Sequence, residues 1–437
     1  MKGEWETSRL VDCVTYQKGF AFKSADYRPS GHPIVRVSNF TDRSIDMADC
    51  SCLDYDAVQE YNAYKLRHRD AVIATVGSWP TNPASVVGKT IYVPEEADAA
   101  LLNQNAVRLR SKPNLDQRFL FYLLKQPDFQ SYIVGTAQGS ASQASITLND
   151  IFGFEFQRPP LAEQKAIAKI LGDLDDKIEL NRMMNTTLEA MARALFQSWF
   201  VDFDPVRAKL DGREPEGMDK ETAALLPRHF EHSANGLIPA GWCLVAIQDV
   251  SDVNTWTLSK KDALATLEYI EISEVSRGNI ANVSTYVRGE EPSRARRRLR
   301  HGDTVLSTVR PDRGSYFLAL NPPENRVVST GFAVLTPSNI PWSFLHAALT
   351  QPEVSEHLGH LADGGAYPAV DTEIIGAIQI PLPSELKILE AYHRICAPLF
   401  EQAAANRIQT NTLATLRDTL LPKLMSGELR ASSLHSL

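Results

Sequence analysis

The chain has 437 residues, 43% of them hydrophobic, and a formal net charge of −8. Its length predicts two or more domains, and its acidic balance argues against a free-standing nucleic-acid binder, whose binding domain is normally basic. It has no apolar run of membrane-spanning length, and its N-terminus lacks the apolar core of a signal peptide. Its five cysteines, an odd number without a CxxC pair, indicate reduced thiols and a cytoplasmic location.

The first strong signal along the chain is a string that occurs twice. KLRHRDAVIATVG at 65–77 returns as RLRHGDTVLSTVR at 298–310, with seven of the thirteen positions identical. Four more pairs of similar strings follow the same order: 5–12 with 242–249, 34–40 with 269–275, 119–128 with 344–353, and 159–165 with 381–387. The pattern predicts a tandem duplication with a unit of roughly 220–240 residues, too long for a solenoid repeat.

Each copy begins with a globular domain, predicted at 1–158 and at 241–382. Runs such as HPIVRVSN and DAVIATVG in the first copy, and LEYIEISEV and DTVLSTVR in the second, are β-branched segments bounded by Gly, Pro, Asn or Asp. Such runs predict short strands. A helix is predicted near FLFYLLKQ and near FLHAALTQ, and the Gln-Pro after each marks its end.

One long helix follows each globular domain, at 159–200 and at 383–427, with a linker at 201–240 and a tail at 428–437. Both helices carry a heptad seam, which favours a coiled coil about 60 Å long over two separate surface helices. Polar residues in the middle of each seam would face each other in an antiparallel pair and fix its register. These register residues are Asn181, Asn185, Gln402, Asn406 and Gln409.

Pro398 lies inside the second long helix and predicts a kink or a break near Ala397. The elements together predict an α+β fold. In this fold, two similar globular domains are separated by two long helices that form an antiparallel coiled coil.

Catalytic motifs are weak in this sequence. It contains no P-loop, no GxSxG and no HExxH. Asn321-Pro322-Pro323 is followed by Glu324 instead of an aromatic residue, so a plain turn is the better interpretation. The Glu-x-Lys strings at 163–165 and 385–387 fall in the first turns of the long helices, where acidic residues suit the helix dipole.

Three strings point to a known family. LFQSWFVDFDPVRAK at 195–209, LRDTLLPKLMSGELR at 416–430 and PPLAEQKAIAKIL at 159–171 closely resemble the specificity (S) subunit of Type I restriction–modification systems. Together with the duplication, the resemblance covers almost the whole chain. It implies two target-recognition domains, at 1–158 and 241–382, each followed by a long helix.

The resemblance also implies a function. An S subunit has no catalytic activity of its own and reads a bipartite, asymmetric DNA site, one half-site per recognition domain. Its coiled coil sets the gap between the half-sites and docks two modification (M) subunits, which carry S-adenosylmethionine and methylate adenine. Restriction (R) subunits with ATP and Mg²⁺ join that core. No cofactor and no metal are then expected on this chain itself.

Base-reading residues are sought where the two copies diverge, because framework residues should match and readers should differ. The loops after the shared Thr-Val contain arginines, which suit guanine, and an asparagine, which suits adenine. A third region, given below, contains carboxylates, which suit cytosine. The candidates in the loops after Thr-Val are Ser78, Trp79, Thr81 and Asn82 in the first copy and Arg310, Asp312 and Arg313 in the second. A second region gives Gln143 and Tyr367, and a third gives Arg36, Ser38 and Asn39 with Glu271 and Ser273. The basic cluster before the second string adds Arg296 and Arg298 as phosphate contacts.

Two other functions remain open from the sequence. The chain would be a stand-alone methyltransferase or nuclease if it transferred methyl groups or cut DNA without partners. It would be a protein scaffold that never touches DNA if adding M subunits gave no sequence-dependent footprint.

Overall fold

The computed structural model describes residues 5–48, 50–79, 87–140, 143–233, 236–362, 365 and 368–431. The chain divides into two compact units. Unit 1 comprises Met1–Glu179 with Asn411–Leu437, and unit 2 comprises Leu180–Thr410. Both units combine helices and strands, which confirms the predicted α+β class.

Unit 1 contains twelve strands among its described residues. They are β1 (Glu6–Arg9), β2 (Val14–Lys18), β3 (His32–Val35), β4 (Ser51–Leu53), β5 (Ala71–Ala74), β6 (Val76–Gly77), β7 (Thr90–Tyr92), β8 (Leu101–Leu102), β9 (Ala106–Ser111), β10 (Gln138–Ser140), β11 (Gln143–Ser145) and β12 (Glu155–Arg158). The sheets run β2-β9-β5-β7, β4-β3-β8, β10-β11-β6 and β1-β12. The helices are α1 (Leu10–Cys13), α2 (Gln117–Lys125), α3 (Pro127–Thr136), α4 (Leu148–Phe152) and the start of α5 (Leu161–Phe196).

Unit 2 repeats this plan. Its described strands are β13 (Phe230–Ser233), β14 (Gly236–Pro239), β15 (Cys243–Ala246), β16 (Ser251–Val253), β17 (Thr266–Ile270), β18 (Val275–Ser276), β19 (Asn279–Ile280), β20 (Ser284–Val287), β21 (Ala295–Arg298), β22 (Asp303–Ser307), β23 (Tyr316–Ala319), β24 (Arg326–Ser329), β25 (Phe332–Pro337) and β26 (Gln379–Leu382). The main sheets run β16-β25-β22-β23 and β20-β17-β24-β21. The helices are α6 (Asp204–Leu210), α7 (Lys220–Leu225), α8 (Ile247–Val250), α9 (Trp342–Leu349), α10 (Pro352–Leu361), α11 (Thr372–Gly376) and most of α12 (Lys387–Met425).

The repeated string forms the same turn and strand in both units. Asp70 accepts a hydrogen bond from the Arg67 N–H at 2.7 Å, and Asp303 accepts one from the Arg300 N–H at 2.6 Å. The residue before each aspartate has a positive φ, +73° at Arg69 and +86° at Gly302. The strand that follows, β5 or β22, is buried along its whole length. The string is therefore framework that each globular domain needs.

The two long helices run antiparallel inside each unit. In unit 1, Asp175 of α5 accepts a hydrogen bond from Arg417 of α12 at 2.8 Å. In unit 2, the later α5 residue Asn181 pairs with the earlier α12 residue Gln409, which confirms the predicted direction of the pair. The long helix α12 is continuous from Lys387 to Met425, so a break near Ala397 is wrong, and the alternative of a kink there stays a prediction.

The continuity of α12 has a local cause. Pro398 removes one backbone hydrogen bond, at a cost of about 3 kcal/mol. One face of the turn before it is buried, with Tyr392 and Cys396 fully covered by the core of unit 2. Packing of this turn offsets the lost bond, so the helix continues through the proline.

Candidate nucleic-acid interface

Two candidate regions of the first copy form one small sheet in unit 1. β6, which follows the shared strand, pairs antiparallel with β11, and β11 pairs with β10. The indole Nε1 of Trp79 donates to the Ser140 carbonyl at 2.8 Å. The loop after Thr-Val and the glycine- and serine-rich loop are thus neighbours, although more than sixty residues separate them.

The third candidate region of unit 1 lies next to residues 103–105, which also contact the shared Thr-Val before the first candidate loop. The Asn103 N–H donates to the Val35 carbonyl at 2.9 Å, directly before Arg36. At the other end of residues 103–105, the Thr75 N–H donates to the Asn105 carbonyl at 2.7 Å. We call residues 36–39, 75–79, 103–105, 138–140 and 143–145 the reading end of unit 1.

Unit 2 builds its loops with the same backbone contacts. The Val370 N–H donates to the Thr308 carbonyl at 2.9 Å, and in unit 1 the Ile146 N–H donates to the Thr75 carbonyl, also at 2.9 Å. The Arg310 N–H donates to the Pro368 carbonyl at 2.8 Å. Candidate regions one and two of the second copy are therefore paired as well.

The third region of unit 2 also reaches this place. The Thr308 N–H donates to the Gly331 carbonyl at 2.9 Å, and the Ile272 side chain covers Gly331 so closely that a Cβ there would overlap it. We call residues 271–278, 308–314, 330–331 and 368–370 the reading end of unit 2. Its backbone repeats that of unit 1, whereas its side chains differ.

The candidate side chains fall into three groups by exposure. The exposed ones are Ser38, Gln143, Glu271, Ser273, Asp312 and Arg313. The half-buried ones are Arg36, Trp79, Arg296 and Arg310. The buried ones are Asn39, Ser78 and Arg298. Thr81, Asn82 and Tyr367 lie outside the described residues.

Burial corrects the expectation for two candidates. The Asn39 side chain accepts from the Arg36 N–H at 2.9 Å and stabilises the turn Val37–Asn39. Arg298 is 5% exposed, pairs with Asp262 at 3.1 Å, and stacks on Trp256 with its Cζ 4.0 Å from the ring centroid. Both are framework residues, because their polar groups face the protein and a DNA phosphate has no access to the Arg298 guanidinium.

Arg277 is a candidate that the sequence analysis missed. It occupies a two-residue turn between β18 and β19 with φ +43°, followed by Gly278 at φ +81°. The Arg277 N–H donates to the Gly314 carbonyl, and the Gly278 N–H donates to the Tyr316 carbonyl, both at 2.7 Å. The signal in the sequence was Arg-Gly between two short strand-like runs, which is a hairpin pattern.

Two arginines at the reading end of unit 2 are not held in ion pairs among the described residues, although Glu271, Glu274 and Asp312 lie in the same segments. Arg277 and Arg313 are exposed, and neither guanidinium has a hydrogen bond or ion pair within the described part of the chain. Guanidinium groups of this kind bind phosphate or the O6 and N7 acceptors of guanine. The corresponding positions of unit 1 offer amide, hydroxyl and indole groups, which have a different hydrogen-bonding pattern.

Neither a metal site nor a membrane span accompanies these surfaces. Among the described residues, His, Cys, Asp and Glu form no group of three or more that is suited to a metal ion. No helix in the described ranges is both long and apolar enough to cross a bilayer.

Comparison with known proteins shows which proteins this chain resembles. The model of the Type I restriction modification DNA specificity domain matches residues 2–190. The chain is therefore similar, over its first copy, to the DNA specificity domain of Type I restriction–modification systems. Two curated relatives are similar along most of their length. The HindI specificity subunit of Haemophilus influenzae is 27% identical over 78% of this chain and 84% of the relative, and the MjaIX specificity subunit of Methanocaldococcus jannaschii is 24% identical over 78% and 76%.

A solved structure shares the fold. The S subunit of a Type I system from M. genitalium superposes with a TM-score of 0.56 at 17% identity, covering 97% of each chain. The family match ends within α5, and the repeated backbone contacts of unit 2 extend the same domain plan to the second copy.

The polar middle of the helix pair lies in unit 2. Asn181 donates to Gln409 Oε1 at 2.8 Å, and Asn185 donates to the Ala403 carbonyl at 3.1 Å. Asn406 donates to Asn185 Oδ1 at 2.9 Å and accepts from Gln402 at 2.8 Å. The structure thus brings all five predicted register residues together.

Proposed function

We propose that this chain is the DNA sequence-recognition subunit of a Type I restriction–modification complex. Each recognition domain reads one half of a bipartite, asymmetric DNA site. The observation that carries the proposal is the pair of reading ends. Matching backbone bonds, Ile146 to Thr75 and Val370 to Thr308, support different side chains. A duplicated framework with unlike readers suits two unlike half-sites.

The chemistry of the two ends suggests how they differ. Arg310 and Arg313 suit the paired acceptors of guanine, and Glu271 suits the amino group of cytosine. Gln143 in unit 1 suits adenine, whose N6 and N7 match a carboxamide. Arg277 and Arg296 would contact phosphates, which position a protein without specifying sequence.

The net charge of −8 fits a subunit that does not bind DNA alone. Phosphate neutralisation dominates the affinity of DNA-binding proteins. We propose that two M subunits, docked on the helix pair, supply much of it and carry S-adenosylmethionine for adenine methylation. R subunits with ATP and Mg²⁺ would join this cytoplasmic complex. The chain itself is non-catalytic, as specificity subunits are.

The test uses the complex of this chain with its M subunits. Methylated adenines are mapped on a random DNA library for the wild type, for Arg313→Ala and for Gln143→Ala. A lost base contact is worth about 1–3 kcal/mol, so each variant should lose roughly 5- to 150-fold preference at one position of one half-site. Lys169→Ala, on the exposed surface of α5, is the control.

Three results would contradict the proposal. Methylation by the chain without M subunits would make it an enzyme. The absence of any sequence-dependent footprint with M subunits present would make it a scaffold. A change in both half-sites on exchange of residues 1–158 would refute independent recognition domains.

A further inference from the structure

A turn of the first recognition domain contacts both long helices inside unit 1. Residues 41–44 form this turn, which the Phe40–Ile45 bridge closes. The Arg43 guanidinium donates to Asp175 of α5 at 3.0 Å and to Asp418 of α12 at 3.3 Å. One arginine of the domain therefore binds both helices of the pair.

Asp175 is the centre of this contact. Its carboxylate accepts from Arg43, from the Tyr122 hydroxyl of α2 at 2.7 Å, and from Arg417 of α12 at 2.8 Å. Only 20% of its side chain is exposed, and only 8% of that of Arg417. The partly buried Asp175 carboxylate of α5 therefore joins the turn 41–44 and α2 of the recognition domain to α12.

The charges around Asp175 balance each other. Burial lowers the pKa of Arg43, Asp175 offsets part of this effect, and Arg417 adds to it. Two guanidinium groups, Arg43 and Arg417, thus share the Asp175 carboxylate, with Asp418 at the exposed side. Removal of the Asp175 charge would leave two largely buried cations side by side, which is costly.

The contact is continuous with the reading end. The turn 41–44 follows the reading-end turn 36–39 after one residue, and the Asp46 N–H donates back to the Asn39 carbonyl at 2.8 Å. A shift of Arg43 against the helices would therefore move the reading-end residues Arg36 and Ser38 with it.

Unit 2 has a corresponding contact, in which the arginine lies on the long helix instead of on the turn. The strings NFTDRSI at 39–45 and EVSRGNI at 274–280 align, so Gly278 stands in the place of Arg43. Here the guanidinium comes from Arg407 of α12, which pairs with Glu189 of α5. A Cβ on Gly278 would lie 2.8 Å from Arg407 Nη2, so a side chain there would have to displace the guanidinium group. In both copies this turn rests on an interhelical ion pair.

We propose that Asp175 is a positioning residue that holds the first recognition domain at a fixed orientation on the helix pair and so enforces the gap between the half-sites. The inference rests on the proposed function. It predicts that loss of the Asp175 contact changes which gap lengths are accepted, while the bases read within each half-site stay the same.

The experiment measures methylation by the complex with M subunits on a series of duplexes. These carry the same two half-sites with the gap at its normal length, or one base pair shorter or longer. Asp175→Asn should reduce the preference for the normal gap on the order of 10-fold, the equivalent of about 1.4 kcal/mol. Asp173→Asn, which removes an exposed partner of Lys169 on the same helix, should leave the preference unchanged.

A second variant guards against a folding defect. Arg43→Gln removes the arginine contact of the recognition domain but keeps the Tyr122–Asp175 hydrogen bond and the Asp175–Arg417 pair between the helices. It should show a smaller loss of gap preference in the same direction, with unchanged half-site bases.

The inference fails if folded Asp175→Asn or Arg43→Gln keeps the wild-type gap preference. It also fails if both variants lose methylation equally at every gap length, since that is a purely structural effect. A wild-type complex without any half-site preference would instead refute the proposed function.

Discussion

Asn406 donates a hydrogen bond from Nδ2 to Asn185 Oδ1 at 2.9 Å, joining the two long helices within the second unit. Asn406 is 4% exposed and Asn185 is half-buried, so the pair replaces apolar residues in the seam. A buried amide pair of this kind contributes more to the register of a helix pair than to its stability.

Asn185→Leu is expected to destabilise the chain by about 1–3 kcal/mol, because Asn406 keeps its buried amide but loses its acceptor. Asn185→Leu with Asn406→Leu should recover much of that loss, since neither polar group is then left unpaired. Urea denaturation of the two single variants and the double variant gives the coupling energy. Thr187→Ala is the control, because its hydroxyl bonds only to Met183 of its own helix. Additive effects of the two leucines would show that the amides are not coupled.

The sequence predicted this helix pair well because its signal is local and periodic. Heptad spacing and the polar positions 181 and 406 can be read directly from the chain. The duplication was equally visible, since Asp70 and Asp303 lie in matching strings and make the same bond to the backbone.

The arrangement of the candidate site was less predictable. Burial of Arg298 depends on Trp256 and Asp262, which lie on another segment and carry no local signal. The Trp79–Ser140 contact depends on strand pairing over a long stretch of chain. Continuity at Pro398 was missed because tertiary packing of the preceding turn outweighs a local rule.

One position of the repeated string should respond in opposite directions in the two copies. Arg69 has φ +73°, where a non-glycine residue is strained, so Arg69→Gly should stabilise the chain by up to about 1 kcal/mol. Gly302 has φ +86°, and a Cβ there would lie 2.9 Å from Trp342 Cβ, so Gly302→Ala should destabilise it by about 1–3 kcal/mol. Thermal unfolding of both variants checks the signs. If both substitutions changed the stability in the same direction, the two turns would not be equivalent.

His346 should make the fold sensitive to acid. Burial, with a smaller effect from Arg407, lowers the pKa of His346 to about 3. The unfolded chain takes up this proton near pH 6.5, and the folded chain takes it up only near pH 3. The stability contribution is therefore complete above about pH 6.5 and falls as the pH drops towards 3, by roughly 2 kcal/mol at pH 5.

The measurement is the free energy of unfolding between pH 7.5 and 5 for the wild type and for His346→Leu. The slope of the variant should be smaller, because it lacks the group that titrates in this window. His229→Gln is the control, since the His229 side chain is 69% exposed. Identical slopes for the wild type and His346→Leu would place the acid sensitivity elsewhere.

Lengthening the helix pair should widen the gap between the half-sites. The unit boundaries fall at Glu179/Leu180 in α5 and at Thr410/Asn411 in α12. A heptad inserted at both places keeps the seam in register and leaves the contacts inside each unit intact. Seven residues add about 10.5 Å at 1.5 Å each, which corresponds to about three base pairs of 3.4 Å.

Methylation mapping with M subunits should find the same half-sites with a gap about three base pairs longer. A heptad in α5 alone is the control and should abolish methylation, because it mismatches the seam. An unchanged gap in the folded double insertion would rule out a spacing role for the helices.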